Sequence, residues 1–143
     1  MMIEHDGDWR TRLMNELTTT PTIRLFDTGA TRSGDNNKPD IEGFISPLAM
    51  SEYIEYMHRH RRMADGSLRT SDNWQRGITF TQYSKSLIRH VHQFHLLERG
   101  YQVKDWDTKE PVEIEEVLCA VVFNAMGYLH ELRKKKEEAL GSS

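Results

Sequence analysis

Between Ile114 and Leu132 the chain sets Ile114, Leu118, Val121, Val122, Ala125, Leu129 and Leu132 at steps of three and four. That is the period of a helix with one apolar face, and nothing else in the sequence constrains the fold so strongly. Two more segments carry the same signature. Phe80, Tyr83, Leu87, Val91, Phe94 and Leu97 predict a helix that begins near Thr79 or Thr81, runs to about Arg99 and stops at Gly100. Ser46-Pro47 is an N-cap and first-turn pair, and Leu48, Tyr53, Ile54, Tyr56 and Met57 give the helix it opens an apolar face, ended by Asp65-Gly66. The third helix is predicted from Pro111 to about Leu140. No segment alternates with the two-residue period of a strand, so an all-α fold is expected, a helical bundle of three main helices.

The chain's 143 residues suit one domain. The first 46 lack helical period, and turn formers dominate Phe26 to Asp40, so a long irregular segment is expected there, with a short helix near residues 8–17. Residues 1–25 read as an N-terminal extension, 26–140 as the helical domain and 141–143 as a tail. Ser67 to Gly77 is a polar connection holding Trp74, and Tyr101 to Glu110 is a second loop. A lean three-helix unit with so long an apolar seam is expected to bury it against a partner subunit, as a homodimer or homotetramer.

Composition excludes several classes. No apolar run approaches the ~20 residues that span a bilayer, and Met1 to Leu13 has no apolar core of a secretory signal. Cys119 is the single cysteine, so an intrachain disulfide and a cysteine zinc site are impossible, and a cytoplasmic setting is expected. A net charge of -3 argues against binding a nucleic acid polymer, but leaves room for a small basic pocket.

Two Glu-x-x-Glu pairs, Glu52/Glu55 and Glu113/Glu116, each fall on one helix face. Two such faces in contact would gather four carboxylates, the oxygen donors that Mg²⁺ prefers. With 13 glutamates in the chain, about one such pair arises by chance, so the spacing alone does not decide. Asn124 lies within about 20° of Glu113 on the helical wheel, as a site residue or a buried amide fixing register. Arg59 and Arg62 follow the first pair, as phosphate clamps or as surface partners of its carboxylates. Lys85, Arg89 and His92 make a basic stripe, either solvated or facing phosphates. The histidines of His58-Arg59-His60 and of His90 to His95 lack a zinc-protease spacing. Arg133 to Lys136 suits the negative end of the helix dipole. Gly29, Gly34 and Lys38 do not fit a P-loop, and no dinucleotide-binding glycine motif occurs. Cys119 has no activating base in sequence and reads as packing.

Four short blocks occur in order: Asp27 to Arg32 with Lys38-Pro39-Asp40, Asp72-Asn73-Trp74 with Gly77, Ile88-Arg89-His90, and Val121 to Met126. Together they resemble a phage family, the dATP/dGTP diphosphohydrolase N-terminal domain, which is similar to the MazG-like all-α nucleotide pyrophosphohydrolases. The resemblance covers roughly residues 26 to 132. It implies a MazG-like nucleotide-binding domain and a Mg²⁺-dependent hydrolase that splits a nucleoside triphosphate, a purine dNTP by preference, into monophosphate and pyrophosphate. It makes Glu52, Glu55, Glu113 and Glu116 the metal-holding, catalytic set, Arg32 and Lys38 phosphate contacts, and Asn73, Trp74 and Arg89 the pocket lining; Asn124, from its place on the wheel, joins them as an expected substrate-binding residue. Glu116 stands where those enzymes usually carry aspartate, and the two pairs are 57 residues apart. These departures motivate an alternative, a non-catalytic protein that sequesters a host immune signalling nucleotide. A helical scaffold with no ligand is the third reading.

Overall fold

The computed structural model describes residues 23–35 and 37–141, and the chain divides into two compact units, Met1–Ser46 and Pro47–Ser143. The short helix expected near residues 8–17, and most of the expected N-terminal extension, lie outside the described residues. In the first unit, β1 (Ile23–Leu25) and β2 (Thr31–Ser33) form an antiparallel pair in which Arg24 faces Arg32. Phe26 N–H donates to the Ala30 carbonyl at 2.9 Å, and Gly29, at φ 82°, donates back to Phe26 at 2.8 Å. This hairpin corrects the expectation of an irregular loop. Its three-residue strands are too short to show a period, while a left-handed residue that glycine supplies freely closes the turn. A one-turn helix, α1 (Ile41–Phe44), follows, capped by the Asp40 carboxylate on Gly43 N–H.

The second unit holds α2 (Pro47–Arg59), a 3₁₀ turn (Asn73–Arg76), α3 (Phe80–Glu98) and α4 (Ile114–Gly141). The long helices α3 and α4 pack along each other, and α2 packs on α4. The fold is mostly helical, and the small two-stranded sheet of the first unit is what departs from the all-α expectation. The core centres on Tyr83, 1% exposed, whose ring lies so close to Gly127 that no side chain could stand there. Phe80 meets Tyr128 at 4.9 Å and Tyr83 meets Phe123 at 6.0 Å between ring centres, so the two helices run antiparallel.

Helix ends follow local chemistry. Thr79 caps α3 by accepting from Gln82 N–H at 3.3 Å. Gly100, at φ 85°, closes it, and the N–H groups of Gly100 and Tyr101 return to Leu97 and Leu96. Two boundaries differ from expectation. The first main helix stops at Arg59 rather than Asp65, because Arg61 and Arg69 pair across a small turn: Arg69 N–H donates to the Arg61 carbonyl at 2.8 Å, and Arg61 Nε donates to the Arg69 carbonyl at 2.8 Å. The last helix opens at Ile114 rather than Pro111, since Pro111 bridges Lys104 and Val112 N–H is committed to Val103. Among the described residues no helix is long and apolar enough to cross a membrane.

Candidate functional site

A cavity of about 520 Å³ opens among α2, α3, α4 and the segment that joins the first two. Each wall has a sequence reason. The α2 face that reads as apolar contributes Tyr53, Ile54, Tyr56 and Met57. The paired segment after α2 brings Arg61 and Arg69 side by side, although eight positions separate them. The 3₁₀ turn presents Asn73 and Trp74, and Trp74 is fixed edge-on against His130 at 4.7 Å. From α3 come Ser86 and His90, and from α4 Phe123 and Asn124. His58 and His60 complete the rim. A second recess of about 430 Å³ shares His58 and Arg61 with the first and adds Arg59 and Arg62.

The electrostatics are one-sided. Two arginines and three histidines line the main cavity, and among the described residues no aspartate or glutamate does. Tyr56 is held unionised, its pKa pushed up to about 12, first by burial and then by the nearby Glu116 carboxylate. It is therefore a neutral hydroxyl at physiological pH. Asn124 is buried, and its Nδ2 donates to the Ala120 carbonyl at 2.8 Å, so the amide plane is fixed within the wall. His90 Nδ1 is 2.8 Å from Gln93 Oε1, which orients that ring from behind.

The sequence-derived candidates separate into three groups. Asn73, Trp74 and Asn124 line the cavity. Arg89 is outside the lining and is tied to it through Ser86, whose hydroxyl its guanidinium reaches at 2.9 Å. Arg32 and Lys38 belong to the N-terminal unit. Arg32 sits on β2, and Lys38 Nζ donates to Ser33 Oγ at 3.1 Å beside Asp35.

The four glutamates form the third group. Glu52 and Glu116 are half-buried at the α2–α4 contact, whereas Glu55 and Glu113 are exposed. Glu116 faces Arg59 at 3.7 Å, and both Glu52 and Glu116 raise the Cys119 thiol, after burial, above its ordinary range. Glu113 stands just before α4, where its carbonyl receives Val117 N–H at 3.2 Å. Among the described residues no group of three or more histidine, cysteine, aspartate or glutamate side chains is placed to hold a metal ion.

Sequence reasoning missed Tyr53, Tyr56, Arg61, Arg69 and Phe123 as cavity residues. The aromatic ones were indistinguishable from core positions at helical spacing. Arg61 and Arg69 meet only because the chain turns back at Gly66, φ 83°, a turn signalled by Asp65-Gly66 but read as a helix end. No family model, curated protein or solved structure matches this chain.

Proposed function

We propose that this chain binds a nucleoside phosphate in the α2–α3–α4 cavity. One observation carries the reading: the lining combines two arginines and three histidines with four aromatic residues, Tyr53, Tyr56, Trp74 and Phe123, and among the described residues it includes no aspartate or glutamate. Such a wall suits a ligand with an aromatic end and an anionic end. Arginine is the residue that meets phosphate with two parallel N–H groups, and aromatic faces take a base by stacking. The cavity volume is in the range of small-ligand and cofactor sites. Phosphates then lie toward Arg61 and Arg69 and the base toward Trp74 and Phe123. The fixed amide of Asn124 supplies a hydrogen-bonding edge.

Hydrolysis to a nucleoside monophosphate and pyrophosphate is the second reading, and Glu52 with Glu116 favours it. Mg²⁺ is commonly held by one or two carboxylates together with substrate phosphates, and this pair lies at the α2–α4 contact whose tyrosine, Tyr56, faces the cavity. Mg²⁺ there would polarise the phosphates and acidify a bound water. Before that, Glu116 would have to exchange Arg59 for the ion.

Thermal melting of the full chain with each ribo- and deoxynucleoside triphosphate, in Mg²⁺ or in EDTA, followed by product separation, tests both readings. A ligand at 100 times its Kd adds about 2.7 kcal/mol of stability. A rise in Tm in both buffers without turnover supports binding alone. Turnover only in Mg²⁺, lost in Glu52→Gln, supports hydrolysis. No rise with any nucleotide or its products overturns both.

A further inference from the structure

Two of the cavity's histidines have one ring nitrogen already committed. His60 Nδ1 is 2.8 Å from the Tyr56 carbonyl oxygen, and His90 Nδ1 is 2.8 Å from Gln93 Oε1. Both partner atoms are acceptors, so each Nδ1 carries a hydrogen and donates it. Both rings are held in that state. His60 stacks obliquely on the Tyr56 ring at 4.0 Å between centres, and Gln93 is buried at 3% exposure. Each ring then has Nε2 as the nitrogen it can offer a ligand, and in the neutral imidazole that atom presents a lone pair.

The two rings also belong to the same end of the cavity. Arg59 facing Glu116 sets the last turn of α2, next to His60, beside the first turn of α4. Because α3 and α4 run antiparallel, with Tyr83 on Gly127, His90 lies about two turns further toward that same start of α4. Trp74, against His130, marks the opposite end. Around His60 the titratable and charged groups are His58 and Tyr56 of α2, with Glu116 of α4 behind Tyr56, and Arg61 and Arg69 of the joining segment. Around His90, the α3–α4 connection supplies Asp105, which interacts electrostatically with the ring, and α4 supplies Asn124, which does not titrate.

We propose that His60 and His90 form a proton-linked phosphate subsite, in which each ring takes up one proton as the nucleotide binds. This rests on the binding reading above and specifies how the anionic end is held. An ionised phosphate oxygen only accepts, and so does a neutral Nε2, so the two repel unless a proton stands between them. One proton per contact is needed whichever atom carries it. The phosphate also offsets the positive charge that Arg61 and Arg69 place in the same cavity, which lets the imidazolium form there. Affinity is therefore highest at acid pH. It falls as pH rises above about 6.5, the ordinary imidazole value, by about tenfold per unit for each proton taken up. Arginines alone keep their charge and give no such slope.

Calorimetric titration of the full chain with dATP and with dGTP in EDTA tests this, between about pH 7 and 8, where phosphate monoesters are mostly ionised. Running it in two buffers of different ionisation enthalpy counts the protons. The expected result is uptake of about one to two protons per nucleotide and a Kd that weakens about tenfold or more across that pH unit. His60→Gln and His90→Gln each place a non-titrating amide donor there and should each lower the count by about one. The double variant should bind with no uptake and a flat pH profile. Binding of wild type without uptake, or uptake that persists in the double variant, would overturn the subsite and leave the binding reading standing. Failure of both nucleotides to bind would overturn it as well, and no rise in Tm with any nucleotide would then show that the binding reading had failed with it.

Discussion

Gly127 shows how one missing side chain sets the packing of the two longest helices. Inside an exposed helix, glycine to alanine gains about 1 kcal/mol, because glycine loses more backbone freedom on folding. Here a Cβ would fall on the Tyr83 ring, which is 1% exposed and has no room to retreat. Gly127→Ala should therefore cost about 1–3 kcal/mol, as overpacked cores do, and chemical denaturation reads the sign directly. Cys119 gives a second test at this scale. It is 6% exposed, and burial, reinforced by Glu52, pushes its thiol up. The native chain should react with a disulfide reagent far more slowly than the chain unfolded in denaturant, which a colorimetric thiol assay measures. Tyr56 follows the same logic with a pH sign. A group whose folded pKa is raised contributes stability that is present below its unfolded value near 10 and lost as pH rises through about 12. Phenolate absorbance of wild type against Tyr56→Phe should show no Tyr56 ionisation in the native protein at pH 10.

At the scale of elements, the long helices were legible and the short pairings were not. Tyr83, Leu87 and Phe94 on α3, with Leu118, Ala125 and Leu132 on α4, repeat over about three to four turns, so both helices stand where the period placed them to within three residues. The hairpin around Gly29 and the turn around Gly66 hold three strand residues a side or less, too few for a period, and their pairing depends on backbone hydrogen bonds that no side-chain pattern reports. The site divides the same way. Trp74 and Asn124 stood out as residue types, whereas Arg61 and Arg69 needed the turn that joins them. The α3–α4 connection is built similarly, on Asp105, whose carboxylate accepts from Thr108 N–H at 2.8 Å and Asp107 N–H at 2.9 Å. Those bonds, the Thr108 one foremost, hold its pKa below the usual range. A depressed folded pKa contributes stability above the unfolded value of about 3.9 and loses it as pH falls through the folded one. Asp105→Ala should thus lower Tm at neutral pH, with the gap to wild type closing as pH falls below about 4.

At the scale of the whole molecule, the helical unit separates two chemistries onto opposite faces of α4. One side holds the basic, aromatic cavity and the other the apolar seam. The carboxylates that a hydrolase would use, Glu52 and Glu116, sit at the α2–α4 contact between Cys119 and Arg59. On the proposed reading, binding and metal chemistry rest on different residues, so Glu52→Gln would lose hydrolysis while keeping binding. The measurement closest to the central claim is calorimetric titration of wild type and Arg69→Ala with the nucleotide that most raises Tm, in EDTA so that binding is read without turnover. Arg69 lines the cavity, while its pairing with Arg61 uses backbone atoms of its own that alanine keeps. The account predicts one site per chain in wild type and a Kd at least tenfold weaker in Arg69→Ala, at unchanged Tm without ligand. An unchanged Kd in that variant would contradict it.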